Sequence, residues 1–179
     1  MRVLLDACVL YPTVLREILL GVAAAGLFTP LWSARILEEW ARAARKIGPT
    51  GEAQARAEIA LLRAAWPAAE VVPQPGLEAR LWLPDPADIH VLAAAIAGSA
   101  DLILTFNAQD FPRKILAEEG VRRDEPDAFL RGLWADHPDP VEAAVAFVHA
   151  EAQRLSGDSI DQRALLKRAR LPRLGKALV

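Results

Sequence analysis

Five oxygen-bearing side chains, Asp6, Glu39, Asp88, Asn107 and Asp110, stand where one site could gather them. Asp6 interrupts the apolar run MRVLLDACVLYP at the end of what reads as a buried strand. An unpaired anion is costly there, so its carboxylate needs a hydrogen-bond donor, a proton or a cation. Carboxylates crowded together repel, and each raises the pKa of the others unless a cation stands between them. Oxygen-only donors suit Mg²⁺ or Mn²⁺, which keeps several waters and is commonly completed by substrate phosphate. Such an ion lowers the pKa of a bound water and stabilises the leaving oxygen of a phosphodiester. Competing chemistries lack their residues. His90, His137, His149 and Cys8 have no zinc spacing, and no G-x-S-x-G stretch is present.

Each acid also has an ordinary role open to it. Asp6 can cap the turn after its strand, and Glu39 can lie with Glu38 on a solvated helix face. Asp88 and its neighbour Asp85 can be helix-start residues, and Asp110 can cap a helix beginning at Pro112. Only Asp6, with its apolar flanks, favours a site on its own. The others gain weight from their arrangement.

The elements that must position them alternate between strand and helix. Residues 2–5 are a short buried strand. Residues 12–25 form a helix with Pro12 in its first turn and Gly26 as its stop, and 27–31 read as an extended link. Ser33 is an N-cap for a helix over 33–47 with Ile36, Leu37, Trp40 and Ala44 on one face. A second amphipathic helix spans 52–66, and 70–72 is a strand candidate; 77–84 is undecided. Asp85, Pro86 and Asp88 open a helix that ends at Gly98. Residues 101–105 are a buried strand, 112–119 a helix stopped by Gly120, and 121–123 a last short strand. This alternation predicts an α/β fold with a mostly parallel sheet. Ligands gather at the carboxyl ends of such strands, which brings Asp6, Asn107 and Asp110 to one edge. Residues 134–140, WADHPDP, read as a Pro-rich hinge before helices over 140–155 and 159–169. The expected organisation is an α/β domain over 1–132 and a helical extension over 133–179.

At 179 residues and 53% hydrophobic, the chain can fill one ordinary core. A net charge of −2 does not advertise a polyanion partner, but the charge is uneven. Residues 152–179 hold seven basic and two acidic side chains, +5, which leaves −7 on the rest. From charge alone, a solvated helix face explains such a tail better than a nucleic-acid contact does. Cys8 is the single cysteine, so no internal disulfide forms, as in a reducing compartment. No stretch reads as a signal peptide or a membrane span, and a cytoplasmic protein without membrane contact is expected.

The stretches LLDACVLYP, SARILEEWARA and LPDPADIHVLAAAIAGSADLILTFNAQDF resemble the PIN-domain family of metal-dependent nucleases. The third is the most specific: an Asp opening an Ala-rich helix, an apolar strand, then Thr-x-Asn-x-x-Asp-Phe. The resemblance covers roughly the first 130 residues and implies a PIN-like α/β/α sandwich with a small helical appendage. It sets the family's acids on Asp6, Glu39 and Asp88, with Asp85 near, and its fourth position on Asn107, with Asp110 behind it. It thereby implies Asp6, Glu39 and Asp88 as ligands of Mg²⁺ or Mn²⁺, with Asn107 and Asp110 completing the catalytic set. Cleavage of single-stranded or loop RNA follows, with Arg16, Arg35, Arg113 and the basic tail as phosphate contacts. The helical tail resembles that of VapC-type toxins, the ribonuclease half of type II toxin–antitoxin pairs. That implies a homodimer silenced by a small antitoxin protein.

Two positions depart from the family pattern. Cys8 stands where many members carry Ser, Thr or Asn, and Asn107 stands where others carry a fourth Asp. Both imply a weaker metal site and support an alternative, a PIN module that binds RNA or a partner protein without catalysis. An aspartyl-nucleophile phosphatase is a further reading, opposed by Cys8 in the place of its second Asp. Trp32, Trp40 and Trp82 could stack on bases, but their spacing favours core packing.

Overall fold

In the computed structural model, which describes residues 1–178, β1 (Arg2–Leu5) is the middle strand of a five-stranded sheet. Its neighbours are β2 (Thr29–Ser33) and β4 (Leu102–Leu104), with β3 (Glu70–Val71) and β5 (Arg122–Asp124) at the edges. All four pairings are parallel, so the expected α/β fold with a parallel sheet is the one that forms. Val3, Leu4, Leu5 and Leu102 to Leu104 are buried, which explains their unbroken apolar runs.

β2 corrects the extended link expected over 27–31. Pro30 is unusual in a central strand, because proline cannot donate to a ladder. Alternation resolves this. Thr29 N donates to Met1 O at 2.9 Å toward β1, whereas Trp32 N donates to Ala69 O at 3.0 Å toward β3. Pro30 shares the parity of Trp32, and β3 pairs only from Trp32 onward. The missing N–H therefore faces a place where no strand runs.

The chain divides into two compact units, Met1–Tyr11 with Thr29–Asp124 and Pro12–Phe28 with Glu125–Val179. This division is discontinuous, unlike the boundary expected at 132/133. The first unit holds the sheet together with α1 (Ala7–Leu10), α3 (Ala34–Ala43), α4 (Gly51–Ala65), α5 (Leu77–Arg80), α6 (Ile89–Ala97) and α7 (Arg113–Glu118). Ser33 caps α3, its Oγ accepting from Ile36 N at 3.2 Å, and Ile36, Leu37 and Trp40 are buried as the spacing predicts. α6 is apolar on almost every side because it packs against β1, β2 and β4. Gly98 ends it: a Cβ there would lie 2.9 Å from Leu31 Cδ1 and 3.0 Å from Val71 Cγ1. The undecided stretch 77–84 begins with α5, a single turn.

The second unit is helical: α2 (Thr13–Ala24), α8 (Pro126–Asp136), α9 (Pro138–Ser156), α10 (Gln162–Arg168) and α11 (Pro172–Ala177). α2 packs on α9, and Gly21 makes the approach close, since a Cβ there would lie 3.1 Å from Ala144 Cβ. The hinge expected over 134–140 is absent. α8 runs to Asp136 and α9 starts at Pro138, so the prolines open helices instead of separating domains. α8 and α11, which the sequence reading did not anticipate, are tied together by Asp127. Its carboxylate accepts from Arg173 N and Leu174 N, each at 3.0 Å. Among the described residues, no helix is long and apolar enough to cross a membrane.

Candidate active site

The strand order β3-β2-β1-β4-β5 reverses direction between β1 and β4. Crossovers leave these two strands in opposite directions, and a crevice opens beyond their carboxyl ends. Asp6 and Thr105 stand at those ends, and Asp6 N donates to Leu104 O at 3.1 Å. The Asp6 carboxylate, 7% exposed, finds donors on every side. Ala7 N donates to Oδ1 at 2.6 Å; Thr105 Oγ1 and Cys8 Sγ donate to Oδ2 at 2.6 and 3.1 Å. The anion is thus held by three hydrogen bonds before any cation is considered.

Burial, and then the Asp6 charge, push the Cys8 thiol up to about 12. It stays protonated, donates to Asp6 and accepts from Phe106 N at 3.4 Å. Cys8 thus acts here as a hydrogen-bond donor to Asp6, as a hydroxyl would, and not as a thiolate ligand.

The acids meet around Asp88. Asp85, Asp88 and Asp110 each offer a carboxylate oxygen, and the three atoms lie within 4.8 Å of one another. Asp85 also caps the turn that opens α6, accepting from Ala87 N at 2.8 Å. Burial raises the Asp88 carboxyl to about 6, followed in order by the charges of Asp6, Asp85, Asp110 and Glu39. Asn107 Nδ2 donates to Asp88 Oδ2 at 2.9 Å, and Asn107 N donates to Thr105 Oγ1 at 2.9 Å. One chain of hydrogen bonds therefore runs from Asp6 through Thr105 and Asn107 to Asp88.

Glu39 and Glu38 have separate fates. Glu38 is held by Arg56 and Arg42, whose hydrogen bonds lower its carboxyl to about 2. Glu39 faces His90, with Oε1 2.7 Å from Nε2, and Arg35 Nε lies 3.9 Å away. The His90 contact is off-axis, so neither ring nitrogen has a properly directed hydrogen bond although the residue is only 2% exposed. Asp6 and Glu39 influence Asp88 by charge but lie outside the trio of Asp85, Asp88 and Asp110.

The expected cationic contacts separate as well. Arg35 and Arg113 are exposed. Arg16 is 4% exposed and pairs with Glu17 at 3.3 Å, so it is not the surface cation that a phosphate contact requires. Trp32 and Trp40 are core residues, but Trp82 is 65% exposed, contrary to the packing expected of it.

The donor set fits a hard divalent cation. Two oxygens on one Mg²⁺ are about 2.9 Å apart when adjacent and about 4.2 Å when opposite, so the trio would draw in around an ion, which would relieve the repulsion at Asp88. Thr105 and His90 are the residues that reading the acids alone passes over. Thr105 carries the signal of a hydroxyl at the tip of an apolar strand; His90 shares a helix with Asp88 and had no sequence partner. A family model described as PIN domain matches residues 2–109, more than half of the chain. No curated protein and no solved structure matches.

Proposed function

We propose that this chain, which belongs to the PIN-domain family, is a metal-dependent endoribonuclease. PIN domains are generally nucleases that use divalent metal ions. The observation that carries the reading is the gathering of the Asp85, Asp88 and Asp110 carboxylates within 4.8 Å of one another, with Asp6 and Glu39 near enough to act on Asp88 by charge. Asp6, Asp88 and Glu39 are the proposed ligands, with Asp85 and Asp110 supported by their closeness to Asp88. Once bound, Mg²⁺ or Mn²⁺ supplies an activated water and offsets charge on the leaving oxygen of the phosphodiester. The protein's own part is to hold those carboxylates in place. Thr105, Cys8 and the Ala7 N–H fix Asp6, and the Asn107 amide fixes Asp88. Asp110 can instead orient the incoming water and Arg113 can meet phosphate, whereas Arg35 is engaged by Glu78 and Glu39.

The substrate we assign is single-stranded or loop RNA. The resemblance of the helical tail supports the finer reading: a cytoplasmic toxin of a type II pair, acting as a homodimer and silenced by a small antitoxin. Cleavage of a mixed-sequence single-stranded RNA with Mn²⁺ tests the core of it. The wild type should cleave; Asp6→Asn and Asp88→Asn should each lose on the order of a hundredfold or more. Equal trace activity in all three, with RNA binding kept, would instead make the cluster a binding surface.

A further inference from the structure

Beside the acids, the first unit has a pocket of about 370 Å³ between the start of α3, the end of β3 and the loop that follows it. That volume lies within the range of small-ligand sites, about 300–1,000 Å³. Its lining includes Ser33, Arg35, Val71, Gln74, Glu78 and His90. His90 joins the two places, lining the pocket while its Nε2 sits 2.7 Å from Glu39 Oε1.

The chemistry of this pocket contrasts with that of its neighbour. Arg35 Nη1 lies 3.4 Å from Glu78 Oε2, so the two charges offset one another. Valine and proline side chains form much of the remaining wall. A phosphate would find little excess positive charge here, whereas a flat uncharged group would find apolar surface. The polar exceptions are the Gln74 amide, at an exposed loop position, and His90. The ring nitrogens of His90 are shielded, and its Nε2 faces Glu39, so the Gln74 amide is the polar contact the pocket offers an occupant.

We infer that this pocket receives the base of a nucleotide next to the scissile phosphate and gives the cleavage its base preference. The inference rests on the nuclease reading, because the acids beside His90 define where the phosphodiester lies. A base in the pocket stacks on the apolar wall, and its polar edge meets the Gln74 amide. Base preference then comes from a place that holds no proposed metal ligand.

The test uses the full chain and two measurements. Fluorescent dodecamers of oligo(A), oligo(C) and oligo(U) are bound in EDTA, where no cleavage occurs. The wild type should favour one base by roughly three- to tenfold, the worth of one net hydrogen bond. Ala34→Phe, which fills the pocket from an exposed helix position, and Gln74→Ala, in the loop, should both flatten that preference. With Mn²⁺, the cut sites in a mixed-sequence RNA should lose the same bias. No base preference in the wild type, or one unchanged in both variants, overturns the pocket assignment. A wild type that discriminates in EDTA but never cleaves keeps the pocket and overturns the nuclease.

Discussion

Replacing Asp88 by Asn removes a charge that four other carboxylates oppose, so stability and cleavage should move in opposite directions. The Asp88 carboxyl sits near 6 in the fold against an ordinary 3.8. The metal-free native state therefore holds this proton more tightly than the unfolded chain does. Its stabilising contribution is complete below about pH 4 and is lost as pH rises through about 6. In EDTA, the wild-type Tm should fall relative to Asp88→Asn across that interval, by a modest amount because the group is partly solvated. A constant gap between the two curves would refute the electrostatic account of the cluster. Mn²⁺ should raise the wild-type Tm more at pH 7 than at pH 5. At Cys8 the expectation concerns reactivity: with its thiol pushed up to about 12, iodoacetamide at pH 8 should leave it unlabelled until the protein unfolds. Cys8→Ser keeps a donor for Asp6 and should retain cleavage; a dead variant would show that the sulfur has a role beyond that hydrogen bond.

α11 depends on a residue far from it in sequence. Its first N–H groups are satisfied by Asp127 on α8, not by a cap of its own, so Asp127→Ala should cost about 1–3 kcal/mol. Hydrogen exchange should localise much of that loss to residues 172–177, and uniform loosening would argue against the cap. This dependence also explains why α11 was illegible: six residues with no local cap carry too little periodic signal. The elements that could be read were those whose causes are local. Ser33 and Asp85 cap the helices they precede, and the Leu102–Leu104 run is a strand because every residue is buried. β2 read as no more than an extended link; the alternation of N–H directions that lets Pro30 sit in it belongs to the sheet and not to the local sequence. The site divides in the same way. The acids could be named from their places at strand ends and helix starts. The Asp6–Thr105–Asn107–Asp88 chain could not, since it spans residues about a hundred positions apart in sequence.

For the whole chain, the discontinuous helical unit makes the C-terminal residues part of what holds α2. A fragment ending at 132 keeps α2 but lacks α9, and it cuts α8 inside its span. We expect that fragment to be insoluble or to melt well below the full chain. Equal melting of the two would restore 1–132 as a self-sufficient domain. The same connectivity bears on synthesis. Gly21 leaves the ribosome 123 residues ahead of Ala144, the residue it packs against. At roughly 5–20 residues per second that is a delay on the order of ten seconds. Throughout it, the face of α2 around Gly21 has no α9 to pack against. The helical unit can therefore close only as the last third of the message is read.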